Sequence, residues 1–169
     1  MHDVPDPPLE HVDLASLVAL LSTTWFAAGL SPEAQLSLAR LARRYQAPAG
    51  TTLLAEGEAV RELGIVLRGR VSVRTLVPER GLVTILTVEP GDIFAKSALV
   101  PPYRSTATVV AIQDVDVIAL DAARLRAALA ADCVLSAALY PRLVEAISRR
   151  LDATRLQLLD LFAGEPRGA

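Results

Sequence analysis

The 169-residue chain has one cysteine, Cys133, so neither a disulfide framework nor a thiolate metal site can be assembled within it. Such a lone cysteine reads as a small buried apolar residue. Histidine is nearly as scarce: His2 and His11 both lie in the polar amino-terminal stretch, leaving none in the body for a metal cluster or a Ser/His/Asp triad. With no motif for an activated nucleophile or paired catalytic carboxylates, the chain is not expected to be an enzyme, and no metal or cofactor is implied. Aromatic residues make up 4% of the chain, too few for the stacking platforms of single-strand binders. A formal net charge of -2 and a pI near 5.7 supply no field that would draw nucleic acid or an anionic membrane. No apolar run approaches the ~18 residues needed to span a bilayer. The start Met1-His2-Asp3-Val4-Pro5-Asp6 lacks the basic, then apolar, pattern of a secretory signal. The expectation is a cytoplasmic protein with neither a nucleic-acid nor a membrane partner.

Material for a core is ample, with 52% hydrophobic residues and a mean hydropathy of +0.38, and the length suits one domain. Residues 1–11 carry Pro5, Pro7 and Pro8 among acids and read as a flexible tail that cannot hold a regular ladder. Residues 163–169, with two glycines and a proline, read as a second tail, leaving 12–162 as the domain.

Leu14, Leu17, Val18 and Leu21 mark one face of a short helix ending near Ser22-Thr23, with Trp25 and Phe26 following as packing anchors. Ser31-Pro32-Glu33 supplies a hydroxyl cap, a first-turn proline and an acid at the positive helix end. The helix it starts is predicted to run to about Arg44. Ala34, Leu38, Leu41 and Tyr45 form its apolar stripe, and Arg40, Arg43 and Arg44 its solvated face.

From Pro48 the period changes to two. Strands are predicted over 51–54, 64–67, 71–76, 82–86, 108–112 and 115–120. Asp121 caps a helix over Ala122 to about Ala131, and Asp132 caps a second, which Pro141 should kink or restart. Leu143, Ile147, Leu151, Thr154, Leu158 and Leu161 then form a seam suited to helix pairing. Many short strands with Gly or Pro between them favour a barrel or jelly roll over a parallel sheet.

The segment from Gly91 to Thr108 interrupts the β pattern. Its small residues Ala95, Ser97 and Ala98 let backbone N–H groups approach a ligand, and a helical turn there would aim its positive end at one. Arg104 beside Ser105 and Thr106 offers a planar guanidinium and two hydroxyls, a set suited to phosphate. Taken alone, the same residues fit an exposed loop with a surface arginine equally well.

The order of these pieces resembles the cyclic-nucleotide-binding domains of catabolite activator protein, kinase regulatory subunits and nucleotide-gated channels. Trp25 to Ser31 resembles the approach to that family's first long helix; Pro48-Ala49-Gly50 and Glu56-Gly57-Glu58 its first strands; Leu67-Arg68-Gly69-Arg70-Val71 its glycine-centred hairpin; and Pro90-Gly91-Asp92-Ile93-Phe94 the lead into its phosphate cassette. The resemblance implies a mainly β fold with flanking α: a double-stranded β-helix (jelly-roll) barrel with N-terminal helices and a C-terminal capping and dimer helix. It assigns the phosphate to Arg104, with Ser105 and Thr106 as helpers, and the ribose side to Phe94, Ala95, Lys96, Ser97 and Ala98. The family pattern has Gly at position 95 and Glu at position 96. Here Lys96, the single lysine among 17 basic residues, replaces an acceptor by a donor.

The function implied is a stand-alone regulatory module that binds cyclic AMP, cyclic GMP or another nucleotide, or a more anionic ligand held by Lys96 and Arg104 together. Arg149 and Arg150 on the capping helix are candidates for a base contact or are solvent-exposed charges. A homodimer through the C-terminal helix is the implied assembly. The alternatives are a ligand-free dimeric scaffold with a degenerate pocket, contacting a protein partner, and a fragment of a transcription regulator.

Overall fold

A computed structural model describes residues 9–10 and 12–163, with side-chain environments over 12–156. Two helices come first, each with a side-chain cap. Asp13 accepts from the Ser16 N–H at 2.9 Å to start α1 (Leu14–Ser22), and Ser31 accepts from the Ala34 N–H at 3.2 Å to start α2 (Pro32–Ala39).

α2 stops well short of Arg44. Ala42–Ala47 is instead a strand, β2, preceded by the short β1 (Leu9–Glu10), which pairs with Tyr45 and Arg44. The segment expected to be a tail thus contributes one short ladder; its other predicted positions, and residues 164–169, lie outside the described residues. The helical stripe misled because Leu38, Leu41 and Tyr45 sit three and four apart, whereas Tyr45 and Ala47 are buried with exposed Gln46 between them, a period of two. Nor are Arg43 and Arg44 a solvated face. The Arg43 guanidinium grips both oxygens of Glu62, its Nη2 at 2.8 Å, and Arg44 holds Asp116 from Nε at 2.9 Å, pinning β2 to strands distant in sequence.

The remaining strands are β3 (Thr52–Leu54), β4 (Glu62–Arg68), β5 (Val71–Val77), β6 (Gly81–Val88), β7 (Ile93–Phe94), β8 (Thr108–Ala111) and β9 (Val115–Asp121). They form two antiparallel sheets, ordered β1-β2-β9-β4-β7 and β3-β8-β5-β6, in a jelly-roll arrangement. All six predicted strands are present; β1, β2 and β7 were not foreseen.

β4 and β9 are buried on both faces. Leu63 and Ile65, with Ile118 and Leu120, face a core shared with Leu21, Phe26 and Leu38 and with the carboxy-terminal helices. Val66, Val117 and Ala119 face a second core between the sheets, with Tyr45, Val71, Phe94 and Val109. Gly64 is required where the Phe94 ring crosses β4: a Cβ there would lie 2.1 Å from the ring.

Asp121 caps α3 (Ala122–Ala131) as predicted, and Asp132 accepts from the Val134 and Leu135 N–H groups, each at 2.9 Å. α4 (Cys133–Ala163) then runs unbroken for 31 residues through Pro141. The proline removes one backbone donor. Leu135, Leu139, Leu143 and Ala146 are buried on both sides of it, and that packing carries the helix past the lost bond. Cys133 is exposed rather than buried, because it lies in the first turn of α4 and faces away from the core. The predicted seam is also divided: Leu143 and Ile147 pack on this domain's own core, Leu151 is exposed, and Leu158 and Leu161 lie beyond the described side chains.

Candidate functional site

The candidate loop begins where β7 is stitched to β4. Phe94 and Ile93 register with Gly64 and Ile65, the Gly91 N–H donates to the Val66 carbonyl at 2.7 Å, and the Val66 N–H donates to the Asp92 carbonyl at 3.0 Å. Ala95 then takes a left-handed conformation, φ 60° and ψ 41°, and launches a single 3₁₀ turn over Lys96–Ala98. That geometry explains the family pattern's glycine at position 95. The turn closes through Ala98 N–H to Ala95 O at 2.9 Å and Leu99 N–H to Lys96 O at 3.0 Å, which leaves the Lys96 and Ser97 N–H groups without partners inside it. Phe94 and Ala98 are buried in the cores, so their side chains position the turn, while Ala95, Lys96 and Ser97 are partly buried.

The far end of the loop is held by the strand-like segment 57–60. The Val60 N–H donates to Tyr103 O, the Ser105 N–H to Glu58 O and the Gly57 N–H to Ser105 O, each at 2.8 Å. Between them Arg104 is exposed, and its Nη1 donates to the Gly57 carbonyl at 2.8 Å. A guanidinium carries five donors in a planar fork, so one bond to Gly57 leaves most of its hydrogen-bonding capacity unused among the described residues. Thr106 is exposed too. Ser105 is not free in the same way: its hydroxyl donates to Ala107 O at 2.6 Å, and its N–H is committed to Glu58.

Lys96 is the first residue of the turn and is partly buried. Burial and, after it, the positive charge of Arg150 hold its amine below the ordinary 10.5. Arg150 projects from α4 and donates to the Ile93 carbonyl; burial lowers its own pKa, with Asp92 opposing and Arg149 reinforcing that shift.

The neighbouring residues make α4 a latch. Arg149 Nη2 donates to Asp92 Oδ1 at 3.0 Å with its guanidinium over the Trp25 ring, and Arg142 Nη1 donates to the Trp25 carbonyl at 2.8 Å. Both Arg149 and Arg150 therefore reach back to the body of the domain; Arg149 is a solvent-exposed helix charge, whereas Arg150 is partly buried. Sequence reasoning missed Arg126 of α3 altogether. It donates to Ala98 O at 2.6 Å and stacks over Tyr103 at 4.3 Å, bridging the two ends of the loop. No local pattern ties a helical arginine to a loop this far upstream.

Residues 44–132, from β2 to the end of α3 with the whole loop between, match the cyclic nucleotide-binding domain family. The chain belongs to that family. A CRP-like cAMP-activated global transcriptional regulator of Mycobacterium tuberculosis is 29% identical over 135 residues, 79% of this chain and 58% of that protein. The chain therefore spans less than two thirds of that relative's length. Among solved structures, a cyclic nucleotide-binding domain from Methylobacillus flagellatus superposes with a TM-score of 0.75 at 24% identity, covering 90% of this chain and 85% of the other, a likeness of fold. A cAMP-binding acyltransferase from Mycobacterium smegmatis matches with a TM-score of 0.67 at 28% identity, over 83% of this chain and 42% of that one. Among the described residues of this family member, no helix is long and apolar enough to cross a membrane.

Proposed function

We propose that this domain is a non-enzymatic, cytoplasmic regulatory module that binds a cyclic nucleotide, cyclic AMP or cyclic GMP, with Arg104 as the phosphate anchor. The observation that carries the reading is the guanidinium of exposed Arg104, tied to Gly57 by one hydrogen bond, within a loop that lies inside the family match. Ligand phosphate would take the remaining donors in a charge-assisted, bidentate pair. Thr106 is free to add a hydroxyl, and Ser105 can add its own once it releases Ala107. Ala95, Ser97 and the unpaired N–H groups of the 3₁₀ turn form the opposite wall. Two relatives whose names describe cAMP activation or cAMP binding support the choice of ligand.

Ligand binding is transmitted through α4, because Arg149 and Arg150 of that helix hold Asp92 and Ile93 immediately before the turn. A homodimer forms along the outward face of α4. Ala137, Val144 and Leu151 are exposed and recur every seven residues, and they replace the partly consumed Leu143 and Ile147 seam. Calorimetric titration with cyclic AMP and cyclic GMP, on the native chain and on Arg104→Ala, tests the assignment.

One observation favours a second reading, an interaction module that binds no cyclic nucleotide. Lys96, a donor whose amine is disfavoured by burial and by the charge of Arg150, stands where the family pattern has an acceptor. Absence of any response in that titration would select this reading.

A further inference from the structure

Residues 99–102 form an arm of the loop with little to hold it. Leu99 packs on the core, but Val100, Pro101 and Pro102 are exposed, and the two prolines have no backbone donor. The arm closes on itself through the Tyr103 N–H to Val100 O at 3.0 Å, and among the described residues no hydrogen bond from outside the loop reaches residues 99–102. Its two ends are instead joined by one side chain. Arg126 of α3 donates to the Ala98 carbonyl at 2.6 Å and lays its guanidinium over the Tyr103 ring at 4.3 Å. A planar guanidinium donates in its plane while it stacks on its face, which an ammonium on a flexible stem does not reproduce. The stacked tyrosine is where the chain needs holding: Tyr103 has φ 60°, a left-handed conformation that a bulky L-residue keeps only where its surroundings impose it. Its carbonyl takes the Val60 N–H at 2.8 Å, and the next residue, Arg104, pairs with Ala59 in an isolated antiparallel bridge. The backbone at Tyr103 therefore sets the direction in which Arg104 leaves the chain.

We propose that Arg126 is a positioning residue of the candidate site: it fixes Tyr103 against α3 and thereby presents Arg104 in the arrangement that takes a phosphate, without itself touching the ligand. The identity of the ligand rests on the reading of Arg104; the restraint on the loop does not. An arm ordered in advance spares the cost of ordering it at binding, so loss of the clamp is read as loss of affinity.

Two measurements on the full chain test this. Amide hydrogen exchange of the ligand-free protein should be several-fold faster at residues 99 and 103 in Arg126→Ala and in Tyr103→Ala, with the amides of β4 and β9 unchanged. Calorimetric titration with cyclic AMP should show each variant weakened roughly threefold to tenfold, and the double variant weakened no further than the weaker single one, since both changes remove the same contact. Arg126→Lys keeps the positive charge but not the planar fork, so it should bind about as weakly as Arg126→Ala. Tyr103→Phe keeps the ring face and should recover the affinity lost in Tyr103→Ala. Native affinity in Arg126→Lys would mean that charge alone matters and would overturn the proposal, as would unchanged loop exchange in Arg126→Ala or additive losses in the double variant. Faster loop exchange in Arg126→Ala beside a native chain that ignores cyclic AMP would support the restraint by Arg126 and remove the cyclic-nucleotide reading.

Discussion

The guanidinium of Arg149 lies 3.6 Å from the centre of the Trp25 ring, joining α4 to the turn between α1 and α2. The same side chain pairs with Asp92 just before β7, so one residue links the amino-terminal segment, the candidate loop and the long helix. Trp25 is the only tryptophan, and its emission reports this junction. Arg149→Ala should shift that emission to the red and cost about 1 kcal/mol in denaturant unfolding, the sum of a partly exposed cation–π contact and an exposed ion pair.

Ala95 occupies a left-handed conformation at φ 60°, which costs an L-residue roughly 1–2 kcal/mol. Glycine pays less there but loses more backbone freedom on folding. Ala95→Gly should therefore stabilise the domain by about 1 kcal/mol or less. Thermal and denaturant unfolding would check the sign; a destabilised Ala95→Gly would mean that the alanine methyl contributes more by packing than its conformation costs.

Lys96 titrates below its ordinary 10.5 because burial, and then Arg150, disfavour the ammonium. In the pH window between its native value and 10.5 the unfolded chain holds more protons than the native one, so this group makes stability rise with pH there. Below that window the charge is carried in both states and the native state bears the full penalty. Arg150→Gln should bring the Lys96 pKa upward, read from the side-chain ¹³C signal of the chain's single lysine.

Val144 and Leu151 are 60% and 49% exposed on α4, seven residues apart. If they pair two copies, Val144→Glu together with Leu151→Glu should turn a dimer into a monomer in sedimentation velocity without lowering the unfolding midpoint of the isolated domain. A monomer in the native chain would remove the dimer from this account.

Much of the fold was legible because its determinants are local. The alternation through Val71–Leu76 and Val115–Leu120, the Ser31 and Asp121 caps, and the glycine-marked turns all act within a few residues. The failures lie where distant partners decide. Arg43 and Arg44 look like helix surface until Glu62 and Asp116 are brought beside them. β7 is two residues long and exists only through pairing with β4. Within the candidate site, Arg104 and the segment that forms the turn at Lys96 were singled out from their order along the chain. The contact of Arg150 with Ile93 just before the turn, and the Arg126 bridge, depend on helices packed from elsewhere.

The account rests most heavily on Arg104. Isothermal titration calorimetry of cyclic AMP into the native chain and into Arg104→Ala tests it most directly. Binding by the native chain, weakened roughly tenfold to a hundredfold or more in Arg104→Ala with an unchanged unfolding midpoint, is the predicted result, since a charge-assisted pair of about 1.5–3 kcal/mol is lost from an exposed side chain. Equal affinity in the two proteins would contradict it.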